Sequence, residues 1–245
     1  MIDKGLNALL LYYDLTKHIY KVCNKMMTDA FQHVLPLVIS ALWVTLKISA
    51  FGIAIALILG LAVSLVIFLR VPVLHALGNG YVAFFRNTPL LLHLFFLYFG
   101  LPRAFGILLS FETTALLGLS LLGGAYMAEA FKSGLSAIAP IQLDAAKALG
   151  LNRLQLVRYV LVPQALSYSV PALGANAIFL FKETSVFTAI AGTDITTVLI
   201  NQISSVGHTD LNLTLLVLSY MVVIIPMAML LHYIEKRVRH AEFGA

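Results

Sequence analysis

The sequence predicts an all-α integral membrane protein: five transmembrane helices, with a polar helical loop held outside the lipid between the third and the fourth. Three observations carry this. The 245 residues are 60% hydrophobic and only 11% charged, whereas soluble domains are about a quarter charged. That leaves too little polar side chain to cover a globule, so the solvent must be largely lipid. The apolar residues also fall in long runs, and about 20 residues of helix cross a bilayer core. Finally, residues 140–163 are charged, alanine-rich and helix-forming between segments apolar enough for lipid.

The composition excludes several classes. The net charge of +5 is spread singly between apolar runs, which suits cationic flanks at a cytoplasmic leaflet rather than nucleic-acid binding. Cys23 is the single cysteine, so no internal disulfide forms, and no Cys/His cluster has the spacing of a metal site. Residues 1–33 carry charges throughout and do not read as a cleavable signal.

In residues 5–27, Lys17, Lys21 and Lys25 recur every fourth position, on one helical face. This suits a helix lying in the interface; an unordered tail is the alternative. Residues 34–69 carry one charge, Lys47, and form the first span. The run is too long for one upright helix, so either the helix projects or a kink near Gly52 turns its first part along the interface.

The second span is placed at about 73–101, which draws Arg86, Asn87 and Thr88 toward the membrane. A buried arginine costs about 2.5–3.5 kcal/mol even on insertion scales. Arg86 therefore either faces a watery cavity or partner helix, or snorkels to the interface. The third span, 113–131, contains Gly118, Gly123 and Gly124, which permit close helix contact. The fourth, 160–181, carries Pro163, Pro171, Gly174 and Asn176, and the fifth is about 213–234. More Lys and Arg lie on the side of the 132–159 loop than on the other, despite the N-terminal lysines. That places the loop and the C-terminus in the cytoplasm.

Within the loop, Pro140 suits a first helical turn, Ala145, Ala146 and Ala148 favour helix, Gly150 ends it and Asn152 caps the next. The result is a smooth helix that another protein's groove could grip, or simply a helical loop.

Asp144-Ala145-Ala146, Gly150, Val160 and Val162-Pro163 resemble the EAA motif of ABC-transporter permeases, with Asp144 in place of the usual glutamate. Arg86-Asn87-Thr88-Pro89-Leu90-Leu91 resembles the Arg-Gly-Thr-Pro-Leu-Leu segment of polar amino-acid permeases, Asn87 replacing the glycine. Ala125-Tyr126-Met127-Ala128-Glu129 with Gly134 is similar to the segment before that subfamily's coupling loop, and Lys182-Glu183-Thr184-Ser185 to its Lys-Asp-Thr-Ser. Four matches in order, over about 41–235, identify a member of the type I ABC permeases of the histidine/glutamine/arginine/glutamate class, with a MetI-like fold.

The resemblance implies a permease subunit of an ATP-driven importer in the bacterial inner membrane. Its implied partners are two ABC ATPases, a second identical or homologous permease and an extracytoplasmic amino-acid-binding protein. The chain lacks the G-x-x-x-x-G-K-[ST] phosphate loop, so ATP is used by partner subunits; no cofactor, metal site or catalytic residue is expected here. Asp144, Ala145, Ala146, Ala148, Leu149 and Gly150 are expected to couple to the ATPase. Buried polar groups in spans mark transport paths by default, which selects Arg86, Glu129, Asn176, Lys182 and Glu183; satisfying one another between helices is the alternative. A secondary transporter or channel would fit the composition but leaves the loop unexplained. For an intramembrane enzyme, His93 stands alone among apolar residues.

Overall fold

The computed structural model describes the backbone from Ile2 to Phe243, and side chains at Lys17, Thr28 and residues 31–238. Among the described residues every regular element is helical, in the order α1 (Ile2–Phe68), α2 (Leu74–Asn87), α3 (Leu90–Phe95), α4 (Leu101–Phe105), α5 (Phe111–Ser136), α6 (Pro140–Ala148), α7 (Arg153–Leu156), α8 (Val162–Glu183), α9 (Ile195–Val206) and α10 (Thr209–Phe243). Three helices are long and apolar enough to cross a membrane, at Phe31–Phe68, Phe111–Ser136 and Thr209–Val238. Two further spans arise if each of two bent pairs crosses once.

α5 is the hub. Its small residues let α1 approach closely: Gly52 meets Leu119, Ala56 meets Gly123, and Gly60 lies against the backbone of Met127 and Ala128. Gly52, Ala56 and Gly60 recur every fourth residue, the small-xxx-small seam that brings membrane helices together by van der Waals packing. The expected alternative of a kink at Gly52 is not found. α1 runs unbroken through it, because the missing side chain admits Leu119 rather than bending the backbone. Of the interfacial lysine face, the side chains of Lys21 and Lys25 lie outside the described residues.

Three backbone carbonyls of α5 accept side-chain hydrogen bonds from its neighbours. Tyr81 Oη donates to Leu121 O at 2.6 Å, Asn176 Nδ2 to Tyr126 O at 3.1 Å and Ser169 Oγ to Ala130 O at 3.0 Å. In an apolar surround such bonds hold helices in register, each worth about 0.6 kcal/mol and up to about 1.7 in membrane proteins.

The stretch expected as one span over 73–101 is two segments, Leu74–Asn87 and Leu90–Phe105, meeting at 103°. Pro89 supplies no amide donor and keeps the preceding residue out of the helical region; Thr88 is extended, at φ −119° and ψ 130°. Leu90 and Leu94 then bury against α5 beside Gly118. The fourth stretch is longer than the expected 160–181, helical from Arg153 to Ile190, and α9 leaves it at 46°.

The ends of these helices form two clusters. At one, Leu65 and Phe68 of α1 pack with Leu135, Ile138, Leu161 and Ala165 beneath the loop. At the other, Val34, Val38 and Ala41 of α1 pack with Ile195, Leu199 and Leu215. There Asp194 caps α9, accepting from the amides of Thr196 at 3.0 Å and Thr197 at 3.3 Å and from the Thr197 hydroxyl. Thr45 accepts from Ile195 N at 3.0 Å.

Candidate functional site: a docking helix and a charged cleft

The loop folds as its residues require. Pro140 occupies the first turn of α6, where no amide donor is needed. Gly150 adopts φ +74°, with Gly150 N donating to Lys147 O at 2.9 Å and Leu151 N to Ala146 O at 3.2 Å. This is a Schellman closure, which satisfies carbonyls left over at the helix end. Asn152 and Gln155 form a capping box at the start of α7, each side chain satisfying the other's amide.

α6 has two faces. Leu143 packs into the cluster of Leu65, Phe68, Leu135 and Leu156, and Ala146 is buried at 4% exposure. Ile141 and Leu149 stand outward at 72% and 80%, with Asp144, Ala145, Ala148 and Gly150 exposed beside them. Asp144 pairs with Lys147 of its own helix at 3.1 Å, both well exposed. Five of the six expected coupling residues thus stand outward. Ala146 faces inward, because Leu143 and Ala146 are three residues apart and share the face that seats α6 on the membrane helices.

Of the five polar residues expected on a transport path, Arg86 and Glu129 meet directly. Arg86 Nη1 lies 3.5 Å from Glu129 Oε2, and Lys132 Nζ is 3.7 Å from Glu129 Oε1. The Arg86 guanidinium sits 5.4 Å from the centroid of the Tyr126 ring. These residues line a cleft of about 490 Å³ between α2 and α5, together with Asn79 and Asn87. Both ion pairs exceed the 2.7–2.9 Å of a tight charge-assisted hydrogen bond, so Glu129 is not locked and each cation keeps donors free.

Asn176 reaches this assembly through the Tyr126 carbonyl, and Phe179, one turn on, packs against the Tyr126 ring with centroids 5.0 Å apart. Lys182 and Glu183 lie elsewhere, at the far end of α8. Lys182 lines a separate, mostly apolar groove of about 430 Å³ against α10, with Ser185, Thr196 and Tyr220. Sequence reasoning missed Asn79, Asn87, Tyr126 and Lys132 as cleft residues. The spacing of Tyr126, Glu129 and Lys132, each three apart on one face of α5, was the available signal; nothing local tied that face to α2.

Residues 52–240 match the family model described as binding-protein-dependent transport system inner membrane component. YxeN of Bacillus subtilis (strain 168), named a probable amino-acid permease protein, is 39% identical over 152 residues, covering 61% of this chain and 68% of its own. GlnM of the same organism, named a probable glutamine ABC transporter permease protein, is 33% identical over 197 residues, covering 79% and 89%. A chain in the crystal structure of an amino acid ABC transporter with histidines superposes with a TM-score of 0.76 at 29% identity, covering 85% of this chain and 97% of that one. The chain belongs to the family of binding-protein-dependent transport system inner membrane components, the membrane permease subunits of ABC transporters.

Proposed function

We propose that this chain is the permease subunit of an ATP-driven importer of polar amino acids in a bacterial inner membrane. It works with two ABC ATPases, a second permease and an extracytoplasmic binding protein, and its coupling loop and C-terminus are cytoplasmic. ATP is bound and hydrolysed by the ATPases, and this chain holds no cofactor. The observation that carries the reading is the two-faced α6. Its outward face offers Ile141, Ala145, Ala148 and Leu149 to a soluble partner, while Leu143 and Ala146 seat it on the ends of α1, α5 and α8. A displacement of α6 would therefore reach three membrane helices together, as rigid-body movement. The amino-acid class is supported by the names of the relatives and by the paired charges of the cleft, which can meet a carboxylate and an ammonium.

Leu149→Asp in the assembled transporter tests it, since 80% exposure makes the change harmless to the fold. Substrate-stimulated ATPase activity and uptake should be lost while the permease still purifies as a folded membrane protein. Retention of both would remove α6 from the coupling role.

A further inference from the structure

The bend between α2 and α3 holds a cavity that neither the docking helix nor the charged cleft uses. It measures about 390 Å³ and is lined from both limbs of the bend, from the π-helical turn Phe96–Gly100 and from α5. Phe84, Leu92 and Phe96 form an exposed apolar rim, while Phe85, His93 and Leu121 lie deeper. His93 is only 8% exposed. Among the described residues neither of its ring nitrogens has a hydrogen-bond partner. Its ring packs against those of Phe85 and Phe84, with centroids 4.7 and 5.7 Å away. A buried polar group left unpaired costs stability and calls for an explanation. Water is a poor one, because a buried water needs about 2–4 polar partners. The lining offers only His93 and Thr88 as polar side chains, and the Thr88 hydroxyl already donates to Phe84 O at 2.8 Å.

From this apolar pit with an orphaned imidazole inside it we propose that the bend binds a neutral, lipid-soluble ring compound carrying a carbonyl or hydroxyl oxygen, the chemistry of a quinone head group. No charged side chain lines the cavity, so an ion would enter without a counter-charge. The volume falls within the roughly 300–1,000 Å³ of small-molecule sites. Phe84, Phe85 and Phe96 supply ring faces and edges for a planar ligand to pack on. A neutral imidazole has one N–H donor and one acceptor nitrogen, so it can donate to a carbonyl and can pair with a hydroxyl either way. The apolar rim admits such a molecule from lipid. A helix face of a second copy laid on that rim would cover the mouth and leave the histidine beneath it unmet. Seated in the bend, the ligand would brace its two limbs at their 103° angle. This site goes beyond the permease reading and does not depend on it.

The test is binding of duroquinone to the purified permease–ATPase complex in phosphatidylglycerol nanodiscs, against durene as the same methylated ring without oxygens. Each amount bound is referred to the same probe in protein-free nanodiscs, so that partition into lipid cancels. Duroquinone should saturate the complex and bind about tenfold tighter than durene, the size of one hydrogen bond. His93→Leu removes the orphaned nitrogens and should bring the two probes within about twofold of each other. His93→Gln keeps a donor and an acceptor and should restore most of the preference. No saturable binding of duroquinone by the unaltered complex would mean that water or the second permease fills the cavity, and would overturn the site. Equal binding of the two probes by the unaltered complex, or a preference that survives in His93→Leu, would overturn it as well. Neither uptake nor ATPase activity is read, so failure here leaves the permease reading standing.

Discussion

The seam between α1 and α5 gives a prediction that isolates one physical effect. A Cβ added at Gly60 would lie 2.5 Å from Met127 Cβ, 2.8 Å from Ala128 N and 2.8 Å from the Met127 carbonyl carbon. Two of these are backbone atoms that no rotamer change can move. Carbon contacts settle at about 3.5–4.0 Å, so Gly60→Ala forces the helices apart by about 1 Å. Overpacking of this kind costs about 1–3 kcal/mol, and a clash with backbone belongs at the upper end. Against it stands the helix-propensity gain of alanine over glycine, about 1 kcal/mol. Gly80 of α2 provides the control, because nothing lies within 4 Å of its added Cβ and only the propensity gain remains. The difference between the two variants cancels that gain and leaves the clash, about 3 kcal/mol. For a chain of this size 1 kcal/mol moves Tm by roughly 2–4 °C, so Gly80→Ala should melt above the parent and Gly60→Ala roughly 6–12 °C below Gly80→Ala. The assay is thermal unfolding of the purified protein in detergent, read as the monodisperse fraction after heating. If the two variants melt together, the seam is not in contact at Gly60 and the reasoning fails.

Other outcomes follow from local geometry. Asn152→Ala removes one half of the capping box and should lower the stability of the α7 end by about 1 kcal/mol, seen as faster amide exchange over 153–156 with global Tm nearly unchanged. Gly150→Val places a β-branched residue at φ +74° where nothing lies within 4 Å; the cost is backbone strain of about 1–2 kcal/mol, and ATPase stimulation should fall while the membrane helices melt as before. Asp194→Ala strips three donors of their acceptor in a fully buried cap; a loss near the upper end of about 0.5–2 kcal/mol is expected, with Asp194→Asn recovering part of it in the same melt. Lys47→Gln breaks the 3.3 Å pair with Glu112, both half exposed, and should change Tm by no more than about 1 kcal/mol's worth, as surface ion pairs do.

What the sequence by itself determined is local and compositional. Solvent class follows from how many side chains are apolar, and the ends of α6 follow from Pro140, Gly150 and Asn152, whose effects act within a turn of their own positions. Which of residues 144–150 stand outward was not legible: Ala146 turns inward because it shares with Leu143 the face packed on the ends of the membrane helices. The role of Gly52 was not legible either: a glycine in a long apolar helix reads equally as kink or contact until Leu119, far along the chain, is placed against it. Nor was the 103° turn at Thr88-Pro89, since proline is tolerated within membrane helices and only the burial of Leu90 and Leu94 on α5 decides that the chain folds back. Arg86, Glu129 and Asn176 were separately visible as costly polar groups in apolar runs, but so were Lys182 and Glu183. Tertiary structure alone sorted them, because α5 presents Tyr126, Glu129 and Lys132 to α2, while α8 carries Lys182 a further turn and a half toward α10. An energetic cost can be read from one residue, but the partner that offsets it depends on where the other helices pack.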